Sequence, residues 1–571
     1  MEKINKLKKE FKKKKIDGYL IPKNDQFFGE YVPKYNDRLN YITNFSGSYG
    51  LSLILKEKSY LFVDGRYTLQ ATNQSGKLFK IVTLPTKMPI DFLGKKKFII
   101  GYDPKLFTNK SLNNLFKGGN CRLKPIFNNL VDKIWKRKLK KNKNKFYKLS
   151  NKFVGANFQR KLGKVLKNLK INKADFLLVT ASENNAWLFN IRGKDSEYSP
   201  IPSCYVLIDK NKINFFCDLK KIPSSFKQFY KKIKFLDINK IGKILKDINK
   251  KRFIIDKNTC STYLEKIISE KNKILKFDDP IYEYKAIKNK VEISNIKKAH
   301  ILDGVALTKY LFWLKKNFNK KKISEISASE KLLKFRKKNK KYKFSSFPTI
   351  SGTGPNGAII HYNATKKTNR MLKSGDIYLV DSGGQYEFGT TDVTRTISLD
   401  NTNKRTKNIF TRVLKGHIAV ANFRLKSNTS GSIIDNSARK YLKEIGLDYS
   451  HGTGHGVGYF LNVHEGPQAI SKKNRVKIKE GMVISNEPGY YEKNNFGIRI
   501  ENLIYVKKNK NNKNFENLTL VPIDKDLIDK SILNQQEKKW LNNYHKKVFN
   551  SLKSEMNISE ILELEKACSA I

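Results

Sequence analysis

The sequence predicts two α/β domains of one architecture, followed by an α+β domain and a helical tail. Three observations carry this reading. At 571 residues the chain is too long for a single hydrophobic core. Helix, strand and turn signals recur in the same order twice before residue 282. After that point a long amphipathic helix opens a stretch in which helix pairs alternate with strand-rich, glycine-rich segments.

Taken in order, a charged helix over about 3–15 leads into the strand of DGYLIP. ITNFSGSYGLSLIL and KSYLFVDGRYTLQA alternate apolar runs with Gly and Asp turns, and the second runs on into a helix. KKFIIGYDP repeats the strand-then-turn pattern, and the first domain is set at residues 1–140. WKRKLKKNKNKFYK, from Trp135, is a charge run without apolar periodicity and reads as a linker or solvated surface. A helix near 152–169, then ADFLLVTAS, NNAWLFNIRG, SCYVLID and KINFFCD, form the second domain, 146–281. Pro280 interrupts the pattern at its end.

The third domain is set at 282–523. Ile293, Ile296, Ala299, Leu302, Val305, Ala306 and Tyr310 recur at helical spacing in its first helix. SEISASEKLLKFRKKN is a second helix with a serine start signal. A glycine-rich segment holding His361 follows, then a hairpin with two aspartates, helices near 404–423 and 432–445, and the stretch 451–501. Two helices then strands, twice over, predict an internal pseudo-repeat. In the tail, 524–571, Trp540, Leu541, Tyr544, Val548 and Leu552 share one helical face. That face is expected to dock on its own domain, with a dimer contact as the alternative.

Hydrophobic residues make up 39% and aromatics 12%, enough for sizeable cores and too many for a disordered chain. The net charge is +64, and such a surface attracts phosphate. Yet the lysines are spread along the whole chain with much Asn, Ile, Phe and Tyr, as AT-rich coding produces, and no RNP motif, zinc finger or basic heptad region accompanies them. No specific nucleic-acid partner is expected. The five cysteines, Cys121, Cys204, Cys217, Cys260 and Cys568, are odd in number, widely spaced and without a CxxC, which fits neither a disulfide framework nor a zinc ribbon. The first residues hold no apolar run long enough for a signal peptide, and nothing approaches the length of a membrane span. A cytoplasmic protein without a membrane partner is expected.

The chemistry concentrates in two segments. IYLVDSGGQYEFGTTDVTRTI carries Asp381 and Asp392, eleven residues apart across a Gly-Gly turn, so an antiparallel hairpin could bring their carboxylates together. HGTGHGVGYFLNVHEGP, NEPGYY and FGIRIEN add His455, Glu487 and Glu501. In FGIRIEN strand alternation puts Arg499 and Glu501 on one face. Acids pointing inward from a core-like strand need a cation; Arg499 could serve Glu501 but not four carboxylates at once. Three of the seven histidines, His451, His455 and His464, fall within fourteen residues, which favours a site. Four carboxylates with one imidazole suit two divalent ions, Mn²⁺ first, with Co²⁺ or Zn²⁺ possible. Two such ions about 3.5–4 Å apart would share a water as hydroxide and polarise a carbonyl. The expectation is a two-metal peptidase.

FPTISGTGPNGAIIHY, VDSGGQY, GTTDVTRT, HGTGHGVGYFLNVHEGP, NEPGYY and GIRIEN together resemble the cytosolic-type Xaa-Pro aminopeptidases (aminopeptidase P) among the pita-bread metallopeptidases. YITNFSGSYG and VDGRYTLQA resemble that family's first creatinase-type domain, NNAWLFNIRG its second, and WLNNYH its C-terminal extension. The resemblance implies two creatinase-like α/β domains before a pita-bread catalytic domain. It implies Asp381 and Asp392 as metal ligands with Asp392 bridging, His455 and Glu487 on the other metal, and Glu501 bridging. It implies His361 and His464 as catalytic and substrate-binding residues, and His451 and Arg499 beside the pocket for a second-position proline. Peptides with penultimate proline would be the substrates, cleaved after the first residue by a metal-bridging hydroxide, and a homodimer is implied. Asn502 stands where many relatives carry an acid. Prolidase is the nearest alternative, separated by substrate length. Creatinase lacks the ligands, methionine aminopeptidase lacks the two preceding domains, and metal-free pita-bread binding modules lose ligands that are all present here.

Overall fold

The structure, a computed structural model, describes residues 1–94, 97–137, 142–509 and 512–571. The chain forms two compact units, Met1–Leu149 with Ala156–Tyr282, and Ser150–Gly155 with Glu283–Ile571.

The first unit holds two six-stranded mixed sheets of the same topology. In one the order is Lys80–Leu84, Ser59–Asp64, Leu51–Leu55, Gly18–Pro22, Phe98–Tyr102, Cys121–Pro125. In the other it is Ile233–Asp237, Ile213–Cys217, Tyr205–Ile208, Phe176–Val179, Arg252–Asp256, Lys273–Phe277. Each sheet pairs its first strand antiparallel to the second and parallel to the fifth. The repeated order of signals in the sequence therefore reflects a repeated fold. Helices cover the faces because strands such as Leu51–Leu55 and Ile213–Cys217 are buried on both sides.

Local differences from expectation have identifiable causes. The helix expected over 152–169 is two helices, Asn151–Val154 and Phe158–Ile171; Gly155, at φ +62°, ends the first and Asn157 caps the second through its side chain. The strand pattern stops at Phe277 as expected, and Pro280 itself opens the short helix Pro280–Ala286, where a missing N–H costs nothing. Of the charge run from Trp135, residues 138–141 lie outside the described residues. Its ends are anchored: Trp135 stacks on Tyr41 at 4.6 Å and 14°, Phe146 is buried, and Tyr147–Lys148 pairs with Ile191–Arg192.

In the second unit helix pairs alternate with antiparallel strands, twice. Lys290–Asn317 starts at Asn289, whose side chain accepts from the backbone of Val291 and Glu292. With Glu325–Lys337 it precedes the sheet Ile350–Thr353, Ile377–Ser382, Val393–Ser398. Lys404–Ala421 and Gly431–Lys443 precede the sheet Glu465–Ile470, Gly454–Gly456, Val483–Asn486, Asn502–Asn509, Asn512–Asn517. The tail helix Gln535–Leu552 buries Leu541, Tyr544, Val548 and Leu552 in one apolar cluster with Ile409, Phe410 and Leu414. It docks on its own unit, as its apolar face requires.

Candidate metal centre

The two aspartates sit at matching ends of paired strands. Ile377–Ser382 runs antiparallel to Val393–Ser398 with Asp381 opposite Thr394, and Asp392 immediately precedes the second strand. The chain between them forms its own small hairpin, Gly384–Tyr386 with Gly389–Thr390, which lets both carboxylates turn to one side. Asp381 and Asp392 are both buried.

Glu501 is not on one alternating strand with Arg499, as the sequence suggested. The strand Phe496–Arg499 ends at Arg499, and a second strand of a different sheet begins at Asn502. Ile500 and Glu501 bridge the two; their N–H groups donate to Pro488 O and Thr394 O, so the backbone leaves one sheet and enters the next. That break aims Glu501 at Asp392. Glu487 lies in a similar gap, after Val483–Asn486 and before Gly489–Glu492.

These gaps converge. Asp392, His455 and Glu501 each offer a ligand atom, all within 4.8 Å of one another. His455 Nε2 lies 3.4 Å from Asp392 Oδ2 and 3.4 Å from Glu487 Oε1. His455 Nδ1 donates to Gly456 O at 2.9 Å, so Nε2 is the ring nitrogen that faces the acids. Ser485 Oγ donates to Glu487 Oε1 at 3.0 Å, and Thr394 Oγ1 donates to Glu501 Oε2 at 2.8 Å.

Arg499 goes to a different acid from the one expected. Its Nη2 donates to Asp381 Oδ2 at 2.7 Å, its Nε to Thr394 Oγ1 at 3.0 Å and its Nη1 to the Tyr491 hydroxyl at 2.6 Å. The strand ends before Glu501, and the two side chains meet only through the Thr394 hydroxyl, which accepts from Arg499 Nε and donates to Glu501 Oε2. His451 Nε2 is 2.9 Å from the same Tyr491 hydroxyl. Tyr491 was missed in the sequence: the second tyrosine of NEPGYY reads as an apolar strand residue, and only the pairing of Gly489–Glu492 with Phe496–Arg499 brings it to Arg499.

His464 is exposed, and its ring centroid is 4.2 Å from that of His455. His361 follows the short helix Gly354–Ala358, which packs against Phe496–Arg499 so closely that a Cβ at Gly497 would collide with the Gly357 carbonyl. The structure thus gathers Asp381, Asp392, His455, Glu487, Glu501, Arg499 and His464, with His451 joined through Tyr491. His361 is carried on the adjoining segment.

The electrostatics call for cations. Burial pushes the Asp381 carboxyl up to about 6, with Asp392 and Glu487 adding repulsion that Arg499 offsets only in part. Burial, then the neighbouring acids, raises Glu501 well above the carboxylate range, and burial raises Glu487. Burial alone would lower His455, but Asp392 and Glu487 push it up to about 9. Asp381 Oδ1 is buried and has no hydrogen-bond partner among the described residues. An orphaned carboxylate oxygen beside three more acids and an imidazole nitrogen fits divalent cations, and nothing in the donor set argues against them.

The family comparisons agree with this geometry. Residues 294–508 match metallopeptidase family M24, 3–134 and 137–292 each match a creatinase/prolidase N-terminal domain, and 513–571 match the C-terminal region of peptidase M24. A probable Xaa-Pro aminopeptidase P of Coprinopsis cinerea is 36% identical over 585 residues, covering 95% of this chain and 93% of its own. The X-prolyl aminopeptidase of Caenorhabditis elegans, described as a cytosolic enzyme with a di-nuclear active site, superposes with a TM-score of 0.95 at 30% identity over 100% of this chain and 99% of its own. A prolidase from Pyrococcus furiosus aligns over 62% of this chain and 98% of its own, with a TM-score of 0.50 at 25% identity. No helix among the described residues is long and apolar enough to cross a membrane. The chain belongs to metallopeptidase family M24 as a metallo-aminopeptidase of the Xaa-Pro aminopeptidase P group, with a pita-bread domain behind two creatinase-type N-terminal domains.

Proposed function

We propose that this chain removes the N-terminal residue from peptides whose second residue is proline, with Asp381, Asp392, His455, Glu487 and Glu501 holding two divalent ions. The observation that supports this most is the convergence of buried acids on one imidazole, with Asp381 Oδ1 left for a cation. Mn²⁺ is the proposed ion, with Co²⁺ or Zn²⁺ as substitutes. His455 and Glu487 would hold one ion and Asp381 the other, with Asp392 and Glu501 available to either. When bound, the ions supply Lewis acidity and lower the pKa of water.

The chain's own groups do the rest. Arg499 occupies Asp381 Oδ2 and so turns Oδ1 inward. Thr394 and Ser485 fix one oxygen each of Glu501 and Glu487. His464, exposed beside His455, hydrogen-bonds the substrate carbonyl as negative charge develops there, and with His361 moves the proton to the leaving nitrogen. His451 and Arg499, joined through Tyr491, border the site for the proline ring. A proline nitrogen has no hydrogen and its φ is fixed, so a site shaped for it takes a bond that extended-chain peptidases handle poorly.

Residues 1–140, 146–281, 282–523 and 524–571 are the proposed domains, and a cytoplasmic homodimer is the proposed state. Activity on Xaa-Pro-Yaa and Xaa-Pro peptides, measured after chelation and Mn²⁺ add-back, tests the function. Restored cleavage of the longer peptide is expected; cleavage of the dipeptide alone would make the chain a prolidase.

A further inference from the structure

The segment 353–370 carries His361, and residues 359–370 within it are neither helix nor strand. Its exposed tip holds Lys366 and Lys367. A mobile segment could not place a catalytic imidazole, since a displacement of about 1 Å costs on the order of 10²-fold in rate.

One carboxylate ties the segment down. Glu325 opens the helix Glu325–Lys337, where an acid ordinarily faces solvent beside the helix dipole. Here it is 0% exposed and turns inward. Its Oε1 accepts from Thr353 N at 2.8 Å, at the start of the segment. Its Oε2 accepts from Arg370 N at 2.9 Å, at the end, and from the Tyr362 hydroxyl at 2.7 Å, in the middle. Asn356 Nδ2 reaches both oxygens, at 3.1 and 3.0 Å. The backbone N–H of Glu325 returns a bond to Arg370 O at 3.0 Å. Only an ionised carboxylate offers acceptors alone on both oxygens; an amide would turn an NH₂ against buried donors.

We propose that Glu325 is a positioning residue for the peptidase reaction, fixing the His361 segment through Tyr362, the next residue along the chain. This rests on the role given to His361 above. It concerns how that imidazole is held in place before substrate arrives.

A double-mutant cycle with a proteolysis readout tests it. Glu325→Gln is expected to lower kcat/KM by about tenfold or more in the wild-type background and by less than about twofold in a His361→Ala background, with metal content unchanged. Trypsin is expected to cut after Lys366 and Lys367 faster in the variant. Equal losses in both backgrounds, or an unchanged tryptic rate, would overturn the proposal. Should Glu325→Gln not fold, Tyr362→Phe, which removes a single hydroxyl, is read in the same cycle with the same expectations. Were His361→Ala itself fully active, the role given to His361 would fall. The tryptic rate would then decide the tie by itself.

Discussion

Arg499 grips Asp381 by one oxygen only: Nη2 meets Oδ2 at 2.7 Å, while Oδ1 has no hydrogen-bond partner among the described residues. A full bidentate pair would neutralise the acid and close it to a cation. The half-pair keeps the carboxylate ionised and aimed, with its second oxygen available. The other two arms of the same guanidinium, on Thr394 and Tyr491, prevent it from sliding to the bidentate arrangement.

Arg499→Lys therefore removes more than it keeps. Lysine presents one ammonium in place of a fork, and cannot hold Asp381, Thr394 and Tyr491 together. Turnover is expected to fall by about tenfold or more, and the bound metal to exchange faster, because breaking a buried pair costs about 3–5 kcal/mol. Metal stoichiometry after dialysis, read beside kcat, checks this; a fully active variant with normal retention would contradict it.

Asp392→Asn or Glu501→Gln is expected to leave the fold largely intact and lower hydrolysis to below about 1%, a barrier increase of about 3 kcal/mol or more. His464→Ala is expected to lower turnover by about 10²-fold with both metals retained. Circular dichroism, metal analysis and kinetics on the same preparations separate the cases. Loss of metal from the His464 variant would make that residue a ligand.

Metal removal should make stability sensitive to pH in a defined direction. Raised carboxyl pKa values penalise the metal-free fold once pH passes the unfolded value near 4; for Asp381 the penalty grows up to about pH 6. His455, raised to about 9, contributes stability that is complete below its unfolded value near 6.5 and is lost as pH rises through 9. The Asp381 penalty is therefore complete by about pH 6, and the loss of the His455 contribution lowers the stability of the stripped protein further up to about pH 9. Its Tm is expected to fall over that window, and that of the Mn²⁺-loaded protein to fall less. A stripped Tm that rises with pH would contradict the charge assignments.

Asn502 offers a test by gain. Its Oδ1 accepts from Arg395 Nη2 at 2.8 Å, and that fully buried guanidinium otherwise bonds to the carbonyls of Thr394, Glu501, Val521 and Pro522 and to the Tyr544 hydroxyl. An acid here would supply a charge-assisted bond, worth about 1.5–3 kcal/mol. It would forgo only the bond from Nδ2 to Asn517 at 3.1 Å, whose amide can turn. Asn502→Asp is expected to raise Tm with metal content unchanged; a lower Tm would show that Arg395 is already satisfied by carbonyls.

What was legible in the sequence follows from what short-range pattern encodes. Asp381 and Asp392 could be placed because a strand, a glycine turn and a strand fix their relation locally. Glu501 was found, but its backbone was misread. FGIRIEN keeps strand alternation through a break that arises only from bonds to Pro488 and Thr394. Asp303 lay unnoticed on the long helix, although Arg336 clamps both its oxygens at 2.9 Å and the Tyr386 hydroxyl joins them. Lys285 and Lys288 disappear among 115 basic residues, yet both are buried against Glu465, the neighbour of His464. Such pairs join residues tens to hundreds of positions apart, and no periodicity announces them. Glu325 reads as a helix-start acid because the sequence does not show which way it turns.

The most direct test is crystallographic: crystals grown with Mn²⁺, with data collected to locate the metal by its anomalous scattering. Two peaks are expected, both enclosed by Asp381, Asp392, His455, Glu487 and Glu501, with Asp381 Oδ1 on one of them. Crystals grown at saturating Mn²⁺ that show no peak among these five residues would contradict the account.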